Sequence, residues 1–157
     1  MYRVYLSYNT TRDEMVVVWR LQTLAAASGL HLEVLNHEQR SDWATVAQKI
    51  DEVDSVIAFL TKQATKPVEN ELRYALSRGK PVIPIVERGV STKLISALLQ
   101  QSGIRVFVLD PDNPGRMESM LADYLRKEKL SRETRNAILA LAGTIAGLFL
   151  LQELTQN

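Results

Sequence analysis

Nucleophilic and metal-binding side chains are scarce in this chain of 157 residues. It has no cysteine, hence no disulfide, no thiolate nucleophile and no Cys-based zinc site. Its two histidines, His31 and His37, cannot alone supply a usual metal set, and a strand start and a loop are their expected places. The chemistry that remains is that of carboxylates and hydroxyls. Among the carboxylates, Glu71 stands out in Val68-Glu69-Asn70-Glu71-Leu72-Arg73-Tyr74-Ala75-Leu76. Helical spacing gives this stretch an apolar face of Val68, Leu72, Ala75 and Leu76, and a solvent-side pair of Glu69 and Arg73 four residues apart. Glu71 falls on the border of the buried stripe, in the first turns of the helix. An acidic residue there is favoured by the helix macrodipole alone. The same position also suits a carboxylate offered to a crevice at the helix N-terminus, and the spacing leaves both readings open.

The elements around Glu71 decide which crevice that would be. Short apolar runs alternate with helical patterns: strands at Arg3–Ser7, His31–Leu35, Ser55–Leu60, Pro81–Val86 and Ile104–Leu109. Helices are expected over Asp13–Ser28, from Ser41 or Asp42 to Val53, and over Pro67–Arg78, Thr92–Gln101 and Met117–Lys129, with Gly29 and Gly79 past two helix ends. Asp110–Gly115 reads as a loop. Trp19 is expected to pack inside the first helix beside Val16, Leu21 and Leu24. Prolines 81 and 84 suit strand ends or a less fully bonded position. Alternation of this kind implies α/β architecture: a flavodoxin-like, five-stranded parallel sheet of order 2-1-3-4-5 with helices on both faces. Ligands bind such a sheet beyond the carboxyl ends of strands 1 and 3. The loops Tyr8–Arg12 and Thr61–Lys66 close that crevice, which makes Thr61 a candidate substrate contact. Phosphate-binding glycine signatures and the G-x-S-x-G elbow are absent. Leu60-Thr61-Lys62 stands where a response-regulator receiver would carry its aspartate.

Val4-Tyr5-Leu6-Ser7-Tyr8 resembles the opening of TIR (Toll/interleukin-1 receptor) domains. The stretch Asp54–Ile85 is similar to them as well, through its Asp-Ser pair, the strand ending Leu60-Thr61, the Glu71-Leu72 helix with Ala75, and Gly79-Lys80-Pro81-Val82-Ile83-Pro84-Ile85. The resemblance covers roughly residues 1–125 and implies a TIR-like domain over 1–130. Many bacterial members cleave the nicotinamide–ribose bond of NAD+, some of them cyclising the ADP-ribose, and their required glutamate matches Glu71. The resemblance places Ser7, Tyr8 and Asn9 along the nucleotide pocket and makes Asn36–Trp43 a mobile loop over the site. Family members often carry a tryptophan four residues before the glutamate, where this chain has Pro67; Trp43 is the candidate to replace it. Tyr74 either flanks the pocket or covers the sheet. One carboxylate suffices for such chemistry, because nicotinamide leaves NAD+ without needing a proton, unlike the leaving groups of ordinary glycosides. NAD+ is then the substrate, and no cofactor is implied. A role in bacterial antiviral defence follows from the resemblance alone. The rival readings are a non-catalytic TIR scaffold that signals by homotypic assembly, and a nucleoside deoxyribosyltransferase-like enzyme, which also uses a glutamate on this layout.

Composition supports a globular chain, with 46% hydrophobic and 24% charged residues. A net charge of +1 argues against a nucleic-acid partner. The basic residues cluster instead: residues 126–135 carry five basic and two acidic side chains, and Glu153 is the one charge after Arg135. Ala137–Leu151 is apolar all round and would span about 22 Å as a helix, against about 30 Å of bilayer hydrocarbon. Gly143 and Gly147 have the spacing that lets helices approach closely. Residues 131–157 are therefore expected to form an apolar helix that anchors the chain in a membrane or joins copies of it in a homo-oligomer. With the basic cluster ahead of it, the positive-inside rule leaves the catalytic domain on the cytoplasmic face. The N-terminal stretch reads as a strand without a secretory h-region, which also predicts a cytoplasmic start.

Overall fold

The computed structural model describes residues 2–9, 12–27, 29–60, 63–110, 112–128 and 130–156, with backbone alone at 12–17, 114, 145–146 and 148–156. The order of elements is β1 (Tyr2–Tyr8), α1 (Arg12–Ala27), β2 (Leu30–Glu33), α2 (His37–Arg40), α3 (Trp43–Glu52), β3 (Ser55–Leu60), α4 (Lys66–Ser77), β4 (Val82–Glu87), α5 (Lys93–Gln101), β5 (Phe107–Leu109), α6 (Pro114–Arg126) and α7 (Arg132–Gln156). The expected helix ends Ser28 and Lys129 fall outside the described residues. The five strands form one sheet in the order β2-β1-β3-β4-β5, every neighbouring pair parallel. This is the flavodoxin-like layout that the alternating pattern predicts.

Every residue of β3 is buried, as its unbroken apolar run requires of a central strand covered on both faces. The pleat sorts β1 into two cores. Val4, Leu6 and Tyr8 join Val18, Leu21, Phe107 and Leu121 on the side of α1 and α6. Tyr5 packs with Val46, Ile50, Val68 and Leu72 on the side of α3 and α4. Since β1 alternates faces, Ser7 shares the α3–α4 side with Tyr5. That alternation aims the last polar side chain of β1 at α4.

Local hydrogen bonding explains where the elements depart from expectation. Ile104 does not begin β5, because its N–H closes the end of α5 on the Leu99 carbonyl at 2.9 Å. The short β5 first pairs at Ile85, so the missing N–H of Pro84 falls short of that ladder. Pro114 and Gly115 belong to α6 rather than to the preceding loop, since a proline in the first turn has no helical N–H bond to lose. Trp19 is a correction: it is 59% exposed. The inward stripe of α1 runs through Val18, Leu21 and Ala25, leaving Trp19 on the outer side.

The C-terminal run also departs from expectation. Among the described residues no helix is long and apolar enough to cross a membrane, so the anchor reading lacks support. The first half of α7 instead packs on the domain: Ile138, Leu141 and Ala142 are buried in the same core as Val4, Leu6 and Leu121. A Cβ built on Gly143 would lie 3.1 Å from Oε1 of Glu118 in α6, so this glycine already serves a close approach within the chain. Truncating Ile138 to alanine should lower stability by about 2–5 kcal/mol in urea denaturation, the cost of a cavity in a packed core. A change below about 0.5 kcal/mol would mean that α7 does not pack as described.

Candidate active site

The carboxyl ends of β1 and β3 lie side by side, with Ser7 opposite Ala58 and Tyr8 opposite Phe59. The helix after β3 starts in their crevice with Pro67 in its first turn, and it buries Val68, Leu72 and Ala75 against the sheet. That face carries Glu71 inward with it, to 1% exposure. The Ser7 hydroxyl, itself fully buried, donates to Glu71 Oε1 at 2.8 Å. A buried carboxylate without a cation would be costly, and the cation here is Arg40. Its Nε donates to Glu71 Oε2 at 2.9 Å and its Nη2 to Oε1 at 3.0 Å, a two-bond fork. Its Nη1 donates to the Tyr8 carbonyl, and its guanidinium lies 5.0 Å from the centroid of the Tyr8 ring. Side-chain exposure is 4% for Arg40 and 2% for Glu71, so the pair is closed to solvent.

Arg40 comes from the expected loop Asn36–Trp43, which contains the one-turn helix α2. A reciprocal cap builds that turn: the Asn36 side chain accepts from the Gln39 N–H at 2.8 Å, and the Gln39 side chain accepts from the Asn36 N–H at 3.0 Å. His37, Glu38 and Gln39 are exposed, and Arg40 alone of the four turns its side chain inward. Asp42 then caps α3. The Tyr8 hydroxyl ties the crevice to the exit of β2 by donating to the Leu35 carbonyl at 2.9 Å. Asn9 donates to the Gln63 carbonyl at 3.0 Å, joining the segments that follow β1 and β3.

The Tyr5 hydroxyl is a further polar group on this side of the sheet. It is buried without a hydrogen-bond partner among the described residues. Burial pushes its pKa up, and the nearby Glu71 charge pushes it further. Ser7 therefore meets Glu71 directly and Tyr8 meets it through Arg40, with Asn9 on the segment that follows β1. Arg40 is the member that spacing did not reveal. The available signal was its position as the one Lys or Arg in the segment Asn36–Trp43.

Trp43 and Tyr74 come together elsewhere. Their rings meet edge to face, centroids 5.6 Å apart. With Asn70, Arg73 and Ser77 they line an open cleft of about 480 Å³. Those four α4 residues share a helix face turned away from the one that carries Glu71 to β1. Tyr74 is held there by donating to Asp51 at 2.8 Å. Among the described residues no hydrogen bond joins either aromatic to Glu71, and the structure brings Trp43 and Tyr74 to each other rather than to the carboxylate. Thr61 lies outside the described residues. The expected pair forms, Arg73 to Glu69 at 2.9 Å with Lys66 on the other oxygen at 3.0 Å, but only its basic side chains face solvent, since Glu69 is buried. His31 lies on β2 and meets Glu33 at 2.9 Å, whereas His37, expected in a loop, is the exposed first residue of α2. Among the described residues no cluster of three His, Cys, Asp or Glu could hold a metal ion.

No protein-family model and no curated protein matches the sequence. Solved structures do. The CMP N-glycosidase BcmB of Clostridium botulinum superposes with a TM-score of 0.55 at 18% identity, over 75% of this chain and 96% of that one. The TIR domains of the activated Roq1 resistosome, which recognises the pathogen effector XopQ, give a TM-score of 0.47 at 14% identity, over 94% and 85% of the two chains. What the N-glycosidase shares with this chain is the fold.

The buried fork makes a stability prediction. Arg40→Ala and Glu71→Ala should each lower stability by about 3–5 kcal/mol, because each strands a buried charge. The double variant Arg40→Met/Glu71→Leu should lose less than either single change. Purely additive losses in urea denaturation would contradict a coupled pair.

Proposed function

We propose that this chain is an N-glycosidase acting on NAD+, which breaks the nicotinamide–ribose bond to give nicotinamide and ADP-ribose or its cyclic form. The observation that carries the reading is the company Glu71 keeps. Among the described residues, the groups that meet it are a serine hydroxyl, a guanidinium and a phenol whose pKa is raised, none of them an acid ready to protonate a leaving base. Cytosine leaving a nucleotide such as CMP needs a proton. Nicotinamide leaves NAD+ with the electron pair of the broken C–N bond and becomes neutral, needing none. Glu71 would bind the ribose hydroxyls and stabilise the positive charge that develops at the anomeric carbon. Ser7 would keep the carboxylate aimed. Water adding to that carbon and losing a proton gives ADP-ribose, whereas an adenine ring nitrogen of the same molecule gives the cyclic product.

A solved N-glycosidase on the same fold supports cleavage of this bond type, although fold alone does not choose a substrate. The reading includes self-association through the domain surface and α7, and service in bacterial antiviral defence as in the family the sequence resembles. One observation favours the non-catalytic scaffold instead: both oxygens of Glu71 are already taken by Arg40.

Wild type and Glu71→Gln, assayed side by side at high protein concentration with products resolved by mass spectrometry, separate the two. Turnover of NAD+ that falls about 100-fold or more in Glu71→Gln supports the enzyme. Equal turnover in both would remove Glu71 from the chemistry, and no turnover in an assembled wild type favours the scaffold.

A further inference from the structure

The fork between Arg40 and Glu71 leaves the site unable to receive a ribose as it stands. Oε1 accepts from Ser7 and from Arg40 Nη2, and Oε2 accepts from Arg40 Nε. A ribose diol offers only neutral hydroxyls, and these cannot displace a charge-assisted, two-bond guanidinium in a site closed to water. Whatever frees Glu71 must give the guanidinium another anion of matching shape. A phosphate does so, since arginine takes phosphate oxygens by the same two-bond fork.

The surroundings of Arg40 suit such an exchange. It is the last residue of a one-turn helix whose other three residues are exposed, so the helix can shift with its arginine without opening a core. The cap between Asn36 and Gln39 lies within the turn and would travel with it. The third bond of Arg40, to the Tyr8 carbonyl at the end of β1, keeps the guanidinium at the mouth of the crevice. The buried Tyr5 hydroxyl, without a hydrogen-bond partner among the described residues, lies close enough to feel the Glu71 charge. It is a donor in reserve for a carboxylate that has lost its arginine.

We propose that Arg40 is a lock on Glu71 that a substrate phosphate opens, so that the site takes phosphorylated N-ribosides and refuses the corresponding nucleosides. The inference rests on the N-glycosidase reading above and narrows its substrate class. Glu71 acts on the ribose, while Arg40 decides specificity by moving from carboxylate to phosphate.

The test compares nicotinamide riboside, nicotinamide mononucleotide and NAD+ in the wild-type protein and in Arg40→Gln and Arg40→Lys. Turnover is followed by mass spectrometry, and binding of the same three compounds by calorimetry. In the wild type the two phosphorylated compounds should exceed the riboside in kcat/KM by about 1,000-fold or more, the discrimination expected when a missing group leaves a site's charged partner unsatisfied. Arg40→Gln should shrink that ratio to about 10-fold or less, by weakening the phosphorylated substrates and admitting the riboside. Arg40→Lys, which keeps the charge and loses the fork, should fall between. Equal cleavage of riboside and mononucleotide by the wild type would overturn the lock and leave the glycosidase reading standing. Binding that requires the phosphate, without cleavage of any compound, would support the lock and overturn the glycosidase. Neither binding nor cleavage would overturn both. The wild-type comparison decides the matter even if Arg40→Gln fails to fold.

Discussion

Two opposite charges withdrawn from water organise this molecule. A buried carboxylate and a buried guanidinium are each costly alone and tolerable together only when their geometry is good and their remaining valences are filled. Here Arg40 and Glu71 meet through two bonds of 2.9 and 3.0 Å, Ser7 fills the carboxylate and the Tyr8 carbonyl takes the spare guanidinium nitrogen. Each partner needs a different part of the fold. Glu71 needs α4 seated against β1 through Val68 and Leu72, and Arg40 needs the turn that Asn36 and Gln39 cap. Ser7 needs the pleat of β1 to aim it at α4 rather than at α1.

How much of this can be read without coordinates follows from how local each cause is. The strands of the sheet centre are legible because an apolar run such as Ser55–Leu60 states its own double burial, and the strand order follows from βαβ alternation. Glu71 is legible in part, since helical spacing puts it beside the stripe of Val68, Leu72 and Ala75. Arg40 is not legible, because its partner is 31 residues away and nothing local marks one arginine among 19 basic residues as the buried one. The places of Trp43 and Tyr74 are not legible for a related reason. Their types suit a nucleotide pocket, but the face of α4 that carries Tyr74 is set by packing on Asp51 and α3. The run after Ala137 is apolar enough to suggest a membrane. Its companions on α1 and α6, which bury Ile138 and Leu141, are visible only in the folded chain.

Fold and site differ in how much they say about the chemistry. A flavodoxin-like sheet shared with a solved N-glycosidase hosts many chemistries. The arrangement around Glu71 is more selective. A carboxylate with a hydroxyl and a guanidinium beside it is suited to stabilising positive charge, and the proposed lock would add an exchange of one anion for another. Among the described residues the carboxylate has no neighbour ready to protonate a leaving group. Those two properties together suit a substrate with a cationic base already in place and a phosphate close to its ribose.

The most direct measurement is a crystal structure of Glu71→Gln, slow enough to hold its substrate, grown with NAD+. The account predicts the nicotinamide ribose against the substituted side chain, with the anomeric carbon about 3–3.5 Å away and Arg40 on the pyrophosphate. NAD+ seated in the Trp43–Tyr74 cleft, with Arg40 still bonded to position 71, would contradict it.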